Sequence, residues 1–334
     1  MIEKPAIQES LIIACLKNHY GLDKVILEFL PIGNDVNSAV YKVLANGTSH
    51  LYLKLRRNDF NKASVIVPHL LKENSVKQVI APLLTKNQQE WTTLDEYSLA
   101  LYPYVEGKNG FQNPLSDEQW VELGAAVKGL HTLQVPQELL KSIPNEDYSS
   151  VYRDEVKKII QQIHGENFKD DVAEQLAEFM RDNVGKIDHT VKRSDELAEE
   201  LKKQQIEFVI CHADLHGANV LIDTNNQLYI VDWDTLMFAP KERDLMFVGG
   251  GVGGFWNKKG EEELFYRGYG EMKINHTALT YYRYERIVQD IVEFSKRLLL
   301  VSDGGKDREC SLEKFKQAFE SNNVVEIAMR EEHF

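Results

Sequence analysis

Cysteine is scarce in this chain. Its three cysteines, Cys15, Cys211 and Cys310, are odd in number, scattered and without metal-ligand spacing. That excludes a disulfide framework and a cysteine-rich metal module, and it fits a reduced, cytoplasmic setting. No apolar run approaches the roughly 20 residues of a membrane span, so no membrane partner is expected. The opening MIEKPAIQES lacks a basic segment followed by an apolar one and does not read as a signal peptide. Positive charge is in deficit: 39 Lys and Arg against 52 Asp and Glu give a net charge of -13. This argues against a nucleic-acid partner, which wants a basic face. The same acidity either keeps the protein soluble or concentrates a cationic substrate in an acidic cleft. The chain shows no repeat, no low-complexity tract and no long Pro/Gly/Ser linker, and no obligate protein partner is evident.

What is present is a change of texture along 334 residues, enough for one large core or two lobes. A helical apolar pattern spans Ile2 to Tyr20. Alternating segments at Val25 to Leu30, Ala39 to Leu44 and Ser49 to Leu55 read as strands, with turns at Gly33-Asn34 and at Asn46-Gly47. A helix interrupted by Pro68 is expected over Asn61 to Lys72, and further strands over Val79 to Leu84 and Leu99 to Tyr104. From Ser116 the pattern turns helical, beginning with a capping box of Ser116 and Gln119. Helices are expected at Tyr148 to His164, Lys169 to Asp182 and Ser194 to Gln205. A long one carries Tyr284, Ile287, Val288, Ile291, Phe294 and Leu298 at three-to-four spacing. The reading is an α+β chain with a β-rich N-terminal lobe over 1–104 and a larger, mainly helical lobe over 105–334, joined near Tyr102 to Gly107.

The chemistry concentrates in VICHADLHGANVLIDTNNQLYIVDWD, Val209 to Asp234. Asp214 lies between apolar runs, Asn219 follows five positions later, and Asp232 ends a further apolar run beyond a turn. Protein kinases space a base Asp and a metal-binding Asn in this way, with a second metal-binding Asp downstream. The chemistry requires it: a hydroxyl nucleophile needs a carboxylate in hydrogen-bond reach, and a metal on phosphates needs hard oxygen ligands separate from that base. Turn formers alone would explain one Asx hairpin, but not acidic groups returning after a second turn between buried strands. In the N-terminal segment, Lys54 sits inside an apolar strand, a position that by itself usually faces solvent. It follows the small, polar loop Pro31 to Ser38, which is neither a Walker A sequence nor G-x-G-x-x-G. Together, loop and lysine suit nucleotide phosphates, with backbone N–H groups around Asn34 and Asp35 and the Lys54 ammonium as donors.

His212-Ala213-Asp214-Leu215-His216-Gly217-Ala218-Asn219 with Ile230-Val231-Asp232-Trp233-Asp234 resembles the aminoglycoside phosphotransferase family, a kinase-like group that also includes choline, homoserine and methylthioribose kinases. Lys54, the Leu123-Gly124 to Leu130-His131 stretch and Arg243-Asp244-Leu245 support the match. The run Arg243 to Phe247 leading into Gly249-Gly250-Gly251 is most similar to the spectinomycin phosphotransferases of that family. The resemblance implies a bilobal protein-kinase-like fold and magnesium-dependent transfer of the ATP γ-phosphate to a hydroxyl of a small cationic antibiotic, conferring resistance. It implies Asp214 as base, Asn219 and Asp232 as magnesium ligands, Lys54 on the phosphates, and Tyr102, Pro103, Tyr104 and Val105 around the adenine. Asp234, Trp256 and Tyr266 are the substrate candidates, since an aromatic wall with carboxylates suits a ring bearing ammonium groups.

One position departs from the pattern. Kinase-like folds pair the strand lysine with a helix glutamate, but Asn58 to Lys72 contains none; Ser64 stands near the expected place and Glu73 at the far end. His212 and His216 have no second His/Cys pair at ligand spacing, and His212 is expected to brace the loop. Asp244 is expected to cap a helix or brace the catalytic loop. A protein kinase is disfavoured: no Ala-Pro-Glu follows Asp232, and only about ten residues precede the next helical stretch. Two alternatives stay open, a small-metabolite kinase of the same fold and a nucleotide-binding scaffold without turnover.

Overall fold

The computed structural model describes residues 4–32, 37–57, 60–166, 168, 170–301 and 305–330. In chain order the elements begin with α1 (Glu9–Tyr20), β1 (Ile26–Leu30), β2 (Ser38–Ala45), β3 (Ser49–Arg57), α2 (Ala63–Glu73), β4 (Thr92–Leu94), β5 (Tyr97–Pro103) and β6 (Gly107–Asn109). Next come α3 (Asp117–His131), α4 (Gln137–Leu140), α5 (Val151–Gly165), α6 (Asp171–Asp182), α7 (Val184–Leu201), β7 (Val209–Cys211), β8 (Val220–Asp223), β9 (Leu228–Ile230) and β10 (Met237–Ala239). The chain continues with α8 (Glu242–Leu245), α9 (Lys259–Tyr269), α10 (His276–Leu299), α11 (Gly305–Gln317) and α12 (Val324–Arg330). The α+β reading holds: strands dominate the first hundred residues and helices the remainder.

Two compact units emerge. The first takes residues 1–114, 132–144 and 218–236; the second takes 115–131, 145–217 and 237–334. The first unit is built on an antiparallel sheet in the order β1-β2-β3-β5-β4. The β2–β3 turn uses Asn46 and Gly47, both at positive φ (54° and 80°), where these two residue types are least strained. On β3, strand alternation sends Leu53 and Leu55, both fully buried, into a core with Ile12 and Leu16 of α1 and Leu99 and Leu101 of β5. Lys54 and Arg56 therefore lie on the opposite face, where Val65 of α2 packs with Ala100 and Tyr102. A smaller sheet, β6-β8-β9, completes this unit.

Two expected elements differ from what is found. Pro68 does not interrupt α2, which runs through it. The cost of one lost hydrogen bond is offset by the buried apolar face of Val65, Val67 and Leu71. Val79 to Leu84 is not a strand: Val79 makes an isolated bridge to Ile230 and Leu83 N–H donates to the Leu101 carbonyl at 2.7 Å, but Pro82 lacks the N–H a continuous ladder needs. At α3 the capping box forms as read: Ser116 N–H donates to Gln119 Oε1 at 2.9 Å, and Gln119 N–H donates to Ser116 Oγ at 3.3 Å.

In the second unit α10 is the central helix, burying Tyr281, Tyr282, Tyr284, Ile287, Val288, Ile291, Val292 and Leu298 against neighbours that include α5 and α7. Helix α7 starts at Val184, well before Ser194, since Ile187 and Val191 extend its buried face. Helices α3 and α9 cross closely through two glycines. A Cβ at Gly268 would stand 1.9 Å from the Val121 carbonyl oxygen, and one at Gly124 2.0 Å from that of Phe265. Gly268→Ala in an ordinary helix would gain up to about 1 kcal/mol. Here it is expected to destabilise by about 1–3 kcal/mol, because backbone must move to admit the methyl. A thermal melt decides the sign: a midpoint at or above wild type would show that the crossing is not tight.

Candidate functional site

In the first unit the register of β3 sets Lys54 opposite Val40 and Ala100. Its ammonium lies 3.0 Å from Asp232 Oδ1 and 2.5 Å from Asp234 Oδ2. Arg56, two residues along the same face, donates through Nε to Asp234 Oδ1 at 2.9 Å and lies 2.8 Å away through Nη2. Burial and the Arg56 charge work against the Lys54 ammonium, but Asp234 and Asp232 prevail and raise its pKa. For Asp234, burial would raise the pKa; Arg56 and Lys54 overcome it and hold the carboxyl well below the usual range. Lys54 therefore has carboxylate partners, and they come from the Asp232-Trp233-Asp234 turn rather than from a helix. Ser64, near the vacant glutamate position, is buried with no hydrogen-bond partner for its hydroxyl among the described residues. Glu73 pairs instead with His69 at 3.6 Å.

Asn219 and Asp232 are brought together in the same unit. Val231 N–H donates to the Asn219 carbonyl at 2.9 Å, tying the residue before Asp232 to Asn219. Asp232 sits at φ 64°, in the left-handed region that a non-glycine residue adopts at a cost, and about half of its side chain faces solvent. An Asn amide oxygen and Asp carboxylates are hard oxygen donors of the kind Mg²⁺ takes. Tyr102 is buried, edge-on to Tyr52, and Pro103 pairs with Leu51. Tyr104 N–H donates to the His50 carbonyl at 3.3 Å, and Lys42 lies over the Tyr104 ring; Val105 follows directly. Asn34 and Asp35 lie outside the described residues.

In the second unit Asp214 follows β7, which pairs with β10 and not with β8. The residue before it, Ala213, has φ 67°, which costs about 1 kcal/mol for a side chain with a Cβ. Asp244 holds this bend: its carboxylate, fully buried, accepts the N–H of His212 at 2.9 Å and of Ala213 at 2.7 Å. His131 braces it in turn, with one ring nitrogen 2.9 Å from Asp244 and the other 2.7 Å from the Tyr269 hydroxyl. His131, Cys211 and Asp244 bring three possible metal-ligand atoms together. Hydrogen bonds already engage both His131 nitrogens and both Asp244 oxygens, so the group reads as a brace. Asp244→Leu is expected to destabilise the fold by roughly 3–5 kcal/mol, as breaking a buried charged network does. Denaturant unfolding reads this directly, and a loss below 1 kcal/mol would remove the brace from the loop's support.

The Asp214 carboxylate meets Arg286 Nη1 at 3.0 Å through Oδ1 and His216 Nε2 at 3.4 Å through Oδ2. Burial alone would raise its pKa; the His216 contact and the charge of Arg286 hold it well below the usual carboxylate range. Of the remaining substrate candidates, Trp256 is 4% exposed, its ring against Trp120 at 5.0 Å. Tyr266 packs edge-on to Phe265, and its hydroxyl is buried with no hydrogen-bond partner among the described residues. Asp234 is engaged by Lys54 and Arg56.

Sequence reading missed Arg56 and Arg286. Arg56 carries a usable signal, since a residue two along a strand from Lys54 shares its face. Arg286, four residues before Asp290, looks like an ordinary exposed helix pair in sequence.

A strand lysine held by the Asp232-Trp233-Asp234 turn, and a braced loop that presents a single aspartate, define a kinase-like phosphotransferase. Residues 28–278 match the phosphotransferase enzyme family known as APH, and the chain belongs to that family. It is 35% identical to spectinomycin phosphotransferase APH(9)-Ia, solved in complex with ADP and spectinomycin, with 99% of this chain and 100% of that one covered at a TM-score of 0.89. Protein StrN of Streptomyces griseus is 26% identical over 243 residues, 68% of this chain and 71% of that protein. Amicoumacin kinase shares the fold alone, at 14% identity and a TM-score of 0.62 over 97% of this chain and 94% of that one. Among the described residues no helix is long and apolar enough to cross a membrane.

Proposed function

We propose that this protein transfers the γ-phosphoryl group of ATP to a hydroxyl of a small cationic aminocyclitol, spectinomycin first, and so confers resistance to it. The observation that carries this reading is similarity over nearly the whole chain, at 35% identity, to an enzyme that holds ADP and spectinomycin. Asp214 orients the acceptor hydroxyl and takes its proton late. The acceptor oxygen bonds to the γ-phosphorus as the bond to the β–γ bridging oxygen breaks, and ADP leaves with that electron pair. Lys54 neutralises the phosphates, and backbone from Tyr102 to Val105 receives the adenine. Asn219 and Asp232 would hold Mg²⁺, which supplies charge neutralisation at the phosphates. Catalysis then rests on positioning and electrostatics rather than on a strong base, which suits an aspartate kept ionised at all working pH values.

The test is a panel: purified protein, Mg-ATP, and spectinomycin, aminoglycosides, choline, homoserine and methylthioribose, each read for ATP consumption. Stimulation by spectinomycin above the others supports the assignment. Stimulation by choline, homoserine or methylthioribose alone would make this a metabolite kinase, and stimulation by none would make it a scaffold.

A further inference from the structure

We propose that Arg286 of α10 is a positioning residue for the phosphoryl transfer, clamping Asp214 Oδ1 and so fixing the orientation in which the carboxylate, with His216 at its Oδ2, meets the acceptor. This rests on the assignment of Asp214 as the base. The geometry is that of a bridge. Arg286 Nη1 reaches Asp214 Oδ1 and Nε reaches Asp290 Oδ1, both at 3.0 Å. Its guanidinium lies over the Phe247 ring at 5.8 Å, and the same ring packs edge-on to His216, again at 5.8 Å. Phe247 is fully buried, so one rigid aromatic platform sets both groups that grip Asp214. A planar fork that stacks on a ring and serves two carboxylates at once is a use for which arginine is suited and lysine is not.

The charged and titratable groups around Asp214 are His212 and His216 from its own loop and Arg286, Asp290 and Glu293 from α10. Of these Arg286 is the permanent cation; removing it takes away one of the charges that oppose burial at Asp214, with the His216 contact remaining, so the Asp214 pKa moves upward. Since Asp214 acts ionised, the acid limb of kcat then moves up in pH.

The experiment follows kcat against pH for spectinomycin phosphorylation with Mg-ATP, and for acceptor-free ATP hydrolysis as a second readout. In wild type, kcat stays flat down to about pH 5, above the ordinary aspartate range. Arg286→Met is expected to lose up to about 100-fold in kcat, as a misplaced catalytic group does, and to acquire an acid limb inside the measured window, with KM for ATP unchanged. Arg286→Lys restores the flat profile but only part of kcat, and Asp290→Asn keeps the flat profile. If Arg286→Met fails to fold, Arg286→Gln, which keeps a donor without the charge, is read the same way. A flat profile with wild-type kcat in the folded neutral variant overturns the inference, and so does an equal limb in Asp290→Asn. Asp214→Asn separates the two assignments: if it retains turnover, the base assignment fails; if it is inactive while Arg286→Met is unaffected, only the clamp fails.

Discussion

Asp214→Asn is expected to lower turnover by ~10²- to 10⁴-fold, the usual worth of general-base help, while leaving nucleotide affinity at the wild-type level. The asymmetry follows from where the residue stands. Asp214 lies beyond β7 on a loop held by Asp244, and its carboxylate meets Arg286 and His216. The Lys54, Asp232 and Asp234 group assigned to phosphates and metal belongs to a separate set of ion pairs. Asparagine keeps the shape and one acceptor oxygen, so the loop stays folded; it removes the charge and the proton acceptor. Steady-state kcat together with nucleotide titration checks this. Near-wild-type turnover would take the base role from Asp214, and a parallel loss of nucleotide binding would place it in the nucleotide site.

Lys54→Met is expected to cost roughly 100-fold or more in turnover, with a raised KM for ATP, because phosphate positioning is lost as well as charge. Its ammonium lies between Asp232 and Asp234. Without it Asp234 keeps its contacts to Arg56, and less of the negative charge of Asp232 and Asp234 is balanced beside the incoming phosphates. Arg56 does not replace it: its Nε and Nη2 both point at Asp234 Oδ1, where the fork is committed to a single carboxylate. Comparison of kcat and KM for ATP with those of Asp214→Asn separates the two residues. A Lys54→Met enzyme with unchanged KM would show that the phosphates are held elsewhere.

Much of the site was legible because its spacing is local. Asp214, Asn219 and Asp232 lie within 19 residues, and short-range chemistry constrains their order. Strand alternation likewise placed Lys54 on a face away from Leu53 and Leu55. The partner of Lys54 was not legible, since ion pairs to Asp232 and Asp234 span 178 residues or more of chain and no local pattern encodes them. Arg286 was hidden for the same reason: its helix neighbours read as a buried stripe, while its partner Asp214 stands 72 residues earlier. The compact units are not contiguous in sequence: β8 pairs with β6, and residues 218–236 fall in the unit that holds residues 1–114. The misread strand at Val79 to Leu84 shows apolar content outweighing Pro82 in the reading, though not in the fold. Motif residues Asp244 and Phe247 acquire physical tasks: one pins the backbone before Asp214, and the other seats His216 and Arg286.

The central claim is transfer of phosphate from ATP to the antibiotic itself. Incubating the protein with Mg-ATP labelled in its γ-phosphate and with spectinomycin, followed by mass spectrometry of the antibiotic, tests it most directly. Labelled phosphate should appear on spectinomycin in a one-to-one ratio with ADP, and should not appear with Asp214→Asn. Unmodified spectinomycin beside wild-type protein that phosphorylates another acceptor, or none, would contradict the assignment.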